Sequence, residues 1–101
     1  MESPKISIIT VGMNHLSYLK ELYKSLYVDF LPNVSFETIY VDNCSQDGSV
    51  KFLQENYPKV KIIQNEEIKG FGENNNIGAF ASVGKYLAII NPDVSLKKDS
   101  L

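Results

Sequence analysis

Two aspartates in this chain directly follow apolar runs, where a carboxylate can serve chemistry as well as a turn. Asp42 closes the run FETIYVD and is followed by Asn43; Asp93 closes YLAIINPD, two residues after Asn91. A carboxylate in the first position can accept the ring N–H of a pyrimidine base, selecting uracil or thymine over cytosine. It can equally bond the backbone amides of its own turn. Asp93 offers one hard oxygen, which suffices for a divalent cation when a substrate diphosphate and waters fill its other positions. Such a cation would stabilise the charge that develops on a departing diphosphate. Pro92 suits the second position of a tight turn, so Asn91 and Asp93 also fit a purely structural role. Asp47, directly before Gly48 and Ser49, reads as a helix cap.

The loop Gly70-Phe71-Gly72-Glu73-Asn74-Asn75 has the outline of a dinucleotide fingerprint. It follows a third strand rather than a first, and Asn75 stands where the final glycine belongs. It reads either as a close-packed loop and helix start beside a ligand pocket, with Gly78 allowing near approach, or as packing alone. His15 reads as a surface residue of a first helical turn. Cys44 reads as a bystander, since no histidine lies near it in sequence to activate it. A Walker A pattern and zinc-ligand clusters are absent, and a single histidine leaves no Ser/His/Asp set.

These residues sit at the junctions of alternating strands and helices. Lys5 to Val11 is β-branched and almost continuously apolar, which suits a strand covered on both faces. Asn14 is placed to cap a helix carrying Leu16, Leu19, Leu22, Tyr23 and Leu26, and Pro32 and Asn33 break that pattern. A second strand runs from Phe36 to Val41. A helix with Val50, Leu53 and Tyr57 follows, then a third strand from Val60 to Gln64. A helix from about Glu73 to Val83, ended by Gly84, leads to a fourth strand, Tyr86 to Ile90. Val94 to Leu101 reads as the entry to another element. The alternation predicts right-handed βαβ units: an α/β fold, three layers α/β/α, with a mainly parallel, Rossmann-like four-stranded sheet. In such sheets ligands bind outside the carboxyl ends of the strands, where Gly12-Met13-Asn14, Asp42-Asn43 and Asn91-Pro92-Asp93 all fall. The third strand then lies at an edge.

With 101 residues the chain is one domain or a piece of one. Its 44% hydrophobic and 22% charged residues are ordinary for a globular domain. A net charge of −2 without a basic stripe argues against polymeric nucleic acid as a partner. Backbone amides, helix N-termini and a metal still allow a small diphosphate. One cysteine permits no intrachain disulfide, and no apolar run approaches the roughly 20 residues of a membrane span. The N-terminus lacks a signal-peptide layout. The expected location is cytoplasmic, with peripheral attachment to the inner membrane face as the variant.

In order, ISIITVGMN, YVDNCSQDGS and NEEIKGFGENNNIGAFASVGKYLAIINPDV resemble the family 2 glycosyltransferases of the GT-A fold, especially rhamnosyltransferase-like members. The likeness spans essentially the whole chain. It implies that residues 1–101 form the N-terminal, nucleotide-sugar-binding portion of an inverting transferase. Such an enzyme moves a sugar from a UDP- or dTDP-linked donor to a hydroxyl of a saccharide or lipid-linked acceptor. The resemblance implies that Thr10, Val11 and Asn14 line the nucleotide pocket and that Asp42, beside Asn43, binds the base. Gly70, Asn75 and Gly78 would flank the donor. Asp93 matches the last carboxylate of the family's DxD motif, a ligand of Mg²⁺ or Mn²⁺; Asn91 occupies its first position, an amide in place of an acid. The general base is expected beyond Leu101, so that residues 1–101 alone should transfer little sugar. Family topology also implies that the fourth strand is left as a bare apolar edge, which favours a homo-oligomer. Alternative readings are another nucleotide-binding α/β enzyme such as a nucleotidyltransferase, or a non-catalytic α/β module. Against these, no Lys/Arg-bearing glycine loop and no acid pair follow the first strand.

Overall fold

A computed structural model of the protein describes residues 4–30 and 35–92. Strands β1 (Ile6–Gly12), β2 (Phe36–Asp42), β3 (Lys61–Gln64) and β4 (Tyr86–Ile89) form one parallel sheet in the order β3-β2-β1-β4. Helices α1 (Leu16–Lys24), α2 (Ser49–Asn56) and α3 (Phe71–Ala81) connect them, and α1 runs on into a π-helical segment, Ser25–Phe30. The α/β reading of the sequence therefore holds, and β3 lies at one edge.

The order of the strands fixes the layers. The chain steps outward from β1 to β2 to β3, then returns across both to place β4 on the other side of β1. Right-handed crossovers put helices on opposite faces when the direction of travel reverses. Accordingly, α1 and α2 cover one face and α3 the other. Beneath α1 and α2 lie the buried Ile8, Leu19, Leu22, Tyr23, Leu26, Tyr40, Leu53 and Val60. Tyr27 and Tyr57 rim this core with ring centroids 5.5 Å apart, and Phe36 and Phe52 each adjoin one of them. The α3 face is thinner, with Ile9, Ile39 and Val41 buried beneath Ile77, Ala79 and Ala81. Gly78 makes that contact close: a Cβ there would stand 2.5 Å from Cγ2 of Ile9.

At the amino ends of the strands Glu37 gathers three neighbours. It accepts hydrogen bonds from the Ser7 hydroxyl and the Val83 N–H and pairs with the Lys61 ammonium at 2.7 Å. The turn between α3 and β4 is thereby fastened to the sheet. No helix among the described residues is long and apolar enough to cross a membrane.

Several boundaries differ from the sequence reading, each for a local reason. The N-cap of α1 is His15, not Asn14, because Asn14 takes a left-handed backbone (φ 59°) and turns the chain before the helix. Asp47 does not itself occupy the cap position of α2. That position is Gly48, at φ 85°, a conformation glycine adopts freely. The Asp47 carboxylate works from just outside, accepting from Ser49 on α2 and from the Leu16 N–H on α1. Helix α3 begins at Phe71 and stops at Ala81, where Ser82 is already extended. Gly84, expected as its terminator, instead lies against β1 and donates its N–H to the Ser7 hydroxyl at 2.8 Å. Pro32, Asn33, Asp93 and the segment 94–101 lie outside the described residues.

Candidate functional site

The single reversal of strand order lies between β1 and β4, so the carboxyl ends of these two strands part and leave a crevice. A cleft of about 490 Å³ opens there. Val11, Gly12 and Met13 line it from the end of β1, His15 and Tyr18 from the start of α1, and Asn91 and Pro92 from the end of β4. Asn43 and Lys69 complete it from the loops after β2 and β3, and Phe71 and Asn74 from the first turn of α3.

Three loops are fixed around this cleft by amides. Asn43 accepts from the Lys69 N–H and the Asn65 side chain, and donates to the Lys69 carbonyl. Asn65 also donates to Asn74 at 2.6 Å, and Asn74 donates back to the Lys69 carbonyl. A fully buried amide such as Asn74 is costly without partners, so this closed set rigidifies the loops as well as satisfying itself. Lys69 alone contributes an ammonium group to the described lining. Glu73, at 3.3 Å, and then Glu67 raise its pKa above the usual lysine range, so it remains charged.

The loop after β1 is tied to the loop after β2 in the same manner. The Asn14 N–H donates to Ser45, the Asn14 side chain accepts from the Gln46 N–H, and Leu16 reaches Asp47. Asn14 and Cys44 are the non-glycine residues with positive φ among those described, at 59° and 62°. Both lie in these loops, where local backbone cost is commonly stored near a ligand site.

Of the residues singled out from the sequence, Val11, Asn43 and Asn91 line the cleft. Asn14 is exposed at the turn into α1, and Gly70 is the exposed N-cap of α3. Thr10 is elsewhere: it is buried on the α1 side of the sheet beside Tyr23. Gly78 does allow a near approach, but of α3 to Ile9 rather than of backbone to a ligand. Asn75 is half-buried and outside the lining, with an enclosed side-chain oxygen lacking a hydrogen-bond donor among the described residues.

Asp42 lies behind the cleft lining rather than in it, only 4% exposed, and both its oxygens are engaged. It accepts from the Tyr40 hydroxyl at 2.7 Å and from the Ser45 N–H at 2.9 Å. Gly12, its register partner on β1, leaves room for that phenol: a Cβ there would stand 2.6 Å from the Tyr40 oxygen. Burial first, and then the bond to Asp42, push the Tyr40 pKa far up, so the phenol stays protonated and donates. No group of three His, Cys, Asp or Glu side chains suited to a metal occurs among the described residues. The described lining contains no carboxylate, so it does not by itself form a cation site.

Sequence reasoning passed over Asn65, Lys69 and Asn74 and set His15 aside. Helix phase held a usable signal. Once Gly78 is assigned to the sheet-facing side of α3, Asn74 lies one turn earlier on the same side, whereas the adjacent Asn75 does not.

Comparison with known proteins identifies the family and the fold. The family model for glycosyl transferase family 2 matches residues 7–101. TuaG of Bacillus subtilis, a glycosyltransferase by name, is 31% identical over 102 residues, covering 97% of this chain and 39% of its own length. The poly(ribitol-phosphate) beta-N-acetylglucosaminyltransferase TarS of Staphylococcus aureus is 28% identical over 100 residues, covering 96% and 18%. The chain thus spans well under half the length of these relatives. The crystal structure of TarS 1-349 with UDP-GlcNAc superposes with a TM-score of 0.83 at 27% identity, covering 95% of this chain and 28% of that one. A mannosyltransferase from Pyrobaculum calidifontis, solved with GDP-Man and Mn²⁺, shares the fold, with a TM-score of 0.82 at 21% identity over 98% of this chain and 30% of that one.

Proposed function

The chain belongs to glycosyl transferase family 2, and we propose that it forms the donor-binding portion of a transferase that uses a UDP- or dTDP-linked sugar. The observation that carries this reading is the 490 Å³ cleft at the reversal of strand order, framed by three hydrogen-bonded loops. Its size suits a nucleoside diphosphate, and the likeness to TarS, whose structures hold UDP and UDP-GlcNAc, supports a uracil-bearing donor. The acceptor is taken to be a saccharide or a lipid-linked saccharide. A single free thiol fits a reducing, cytoplasmic setting. Rhamnosyl specificity rests on the motif likeness alone.

In this reading Asp42 has two tasks. Its bonds to Tyr40 and Ser45 occupy two of the lone-pair sites of a carboxylate, which has about four. A remaining lone pair accepts the N3–H of uracil or thymine and meets only another acceptor in cytosine. Asp93 remains the candidate ligand for Mg²⁺ or Mn²⁺, with diphosphate oxygens supplying most of the coordination. Transfer also requires a base for the acceptor hydroxyl; the role proposed for the described residues is donor binding.

An NMR titration with UDP, dTDP and CDP, each with and without Mn²⁺, tests this reading. UDP and dTDP should shift amides of Val11 to His15 and Lys69 to Asn74, with CDP weaker. Shifts confined to the β3 edge would remove the cleft assignment. Asp42→Asn keeps the shape and should bring UDP and CDP within about threefold of each other while weakening UDP roughly tenfold. An unchanged preference for UDP would rule out the base contact.

A further inference from the structure

Among the polar side chains of the cleft, three are already committed. The amides of Asn43 and Asn74 are used in joining the loops, and the Lys69 ammonium lies between Glu67 and Glu73. His15 differs. The Met13 N–H donates to its Nδ1 at 2.9 Å, so Nδ1 carries the lone pair and the proton of the neutral ring is on Nε2. That Nε2–H has no protein acceptor among the described residues, while the ring lines the cleft. Although His15 occupies the N-cap of α1, its side chain makes no capping bond.

The chain on either side of His15 is held firmly. Asn14 keeps a left-handed backbone, which costs a non-glycine residue free energy unless neighbours enforce it. Here Ser45 and Gln46 enforce it through the Asn14 N–H and side chain. On the other side, the Leu16 N–H is held by Asp47. Asn14 and Leu16, on either side of His15, are therefore anchored to the loop after β2. The imidazole folds back toward Met13, with the Tyr18 ring centroid 6.1 Å away. A fixed tautomer on a fixed backbone is what a directional donor requires.

We propose that His15 is a ligand-contacting residue whose Nε2–H donates to an oxygen of the bound nucleoside diphosphate. This rests on the donor-binding reading and deepens it by naming a directional hydrogen-bond donor in the cleft. A glutamine amide reaches about as far as Nε2, and an asparagine amide about as far as Nδ1. His15→Asn therefore keeps an acceptor for the Met13 N–H and removes the donor; His15→Gln does the reverse.

UDP binding to the chain, wild type and both variants, is measured by calorimetry, with amide spectra recorded in parallel. His15→Asn should retain wild-type shifts for Met13 to Leu16 yet bind UDP roughly fivefold to tenfold more weakly. His15→Gln should recover most of that loss. Wild-type affinity in His15→Asn, or binding in His15→Gln no better than in His15→Asn, overturns the contact and leaves a loop-positioning role. Should the wild-type chain bind no UDP at all, the donor-binding reading fails and this inference fails with it. Equal binding by wild type and His15→Asn removes only the inference.

Discussion

Beneath α1 and α2 the sheet buries a continuous set of large side chains with an aromatic rim, whereas beneath α3 the buried apolar cluster among the described residues is Ile9, Ile39 and Val41. Helix α3 lies over β1 and β2, and among the described residues little covers β4 beside it. Leu87 and Ile89, on the α3 side of β4, are half-exposed, and Phe80 on α3 is 93% exposed. The first face is closed by two local βαβ units. The second depends on one long crossover that reaches only part of its territory. Apolar composition is thus similar in β1 and β4 while burial is not: a strand's sequence records what its faces can be packed against, and topology decides whether anything is there.

If the faces differ as described, substitutions beneath α1 should cost the most. Leu22→Ala leaves a cavity among fully buried neighbours and should lower unfolding free energy by about 2–5 kcal/mol in urea melts. A loss below about 1 kcal/mol would mean that this core is loosely packed and the contrast unfounded. On the α3 face the vulnerable point is closeness of approach. Gly78→Ala drives a methyl into the stiff, β-branched Ile9 and should cost about 1–3 kcal/mol. Helix propensity alone would instead make the substitution stabilising, so the sign of the change decides whether the contact exists.

A polar device partly compensates for the thin apolar packing under α3. Burial alone would raise the Glu37 pKa, but Lys61, Ser7 and the Val83 N–H outweigh it and hold the carboxyl below its ordinary value of 4.5. A depressed folded pKa means that the stabilisation is fully present above pH 4.5 and is lost as pH falls through the folded value. Glu37→Gln should therefore be less stable at neutral pH and show a flatter acid limb, with a smaller effect than at Gly78. Identical acid limbs for both proteins would show that α3 is not fastened through this carboxylate.

The alternation of apolar runs and amphipathic segments was enough to anticipate four parallel strands, because period and length distinguish a covered strand from a helix. Placing β3 at an edge required only that the polar clusters converge elsewhere. Helix starts were less legible: Asn14 reads as a cap by type, but the left-handed turn comes from partners about thirty positions later, Ser45 and Gln46. The cleft was legible as a location and only partly as a set of residues. Asn43 and Asn91 follow from strand ends. Asn65 is recruited by the height of the loop after β3, which no local pattern encodes, whereas helix phase alone places Asn74 on the sheet-facing side of α3. Asp42 was visible as a carboxylate at a strand end, while its bond to Tyr40 depends on Gly12 across the register.

The smallest expected effect on folding is at Phe80, and it tests the unfinished face most directly. A side chain 93% exposed contributes little to the stability of the monomer, so Phe80→Ser should leave the urea midpoint nearly unchanged, within about 0.5 kcal/mol. Association should respond instead. Among the described residues no strand pairs with the outer edge of β4, which lies between half-exposed apolar residues, and such an edge pairs with another strand when one is offered. At high protein concentration the wild-type chain should therefore self-associate in light scattering. Leu87→Lys, which places a charge on that edge, should shift it toward monomer, and Phe80→Ser should do so to a lesser degree. A wild-type chain that stays monomeric at every accessible concentration would mean that solvent suffices to cover β4, and that the two faces differ in packing without differing in what they seek.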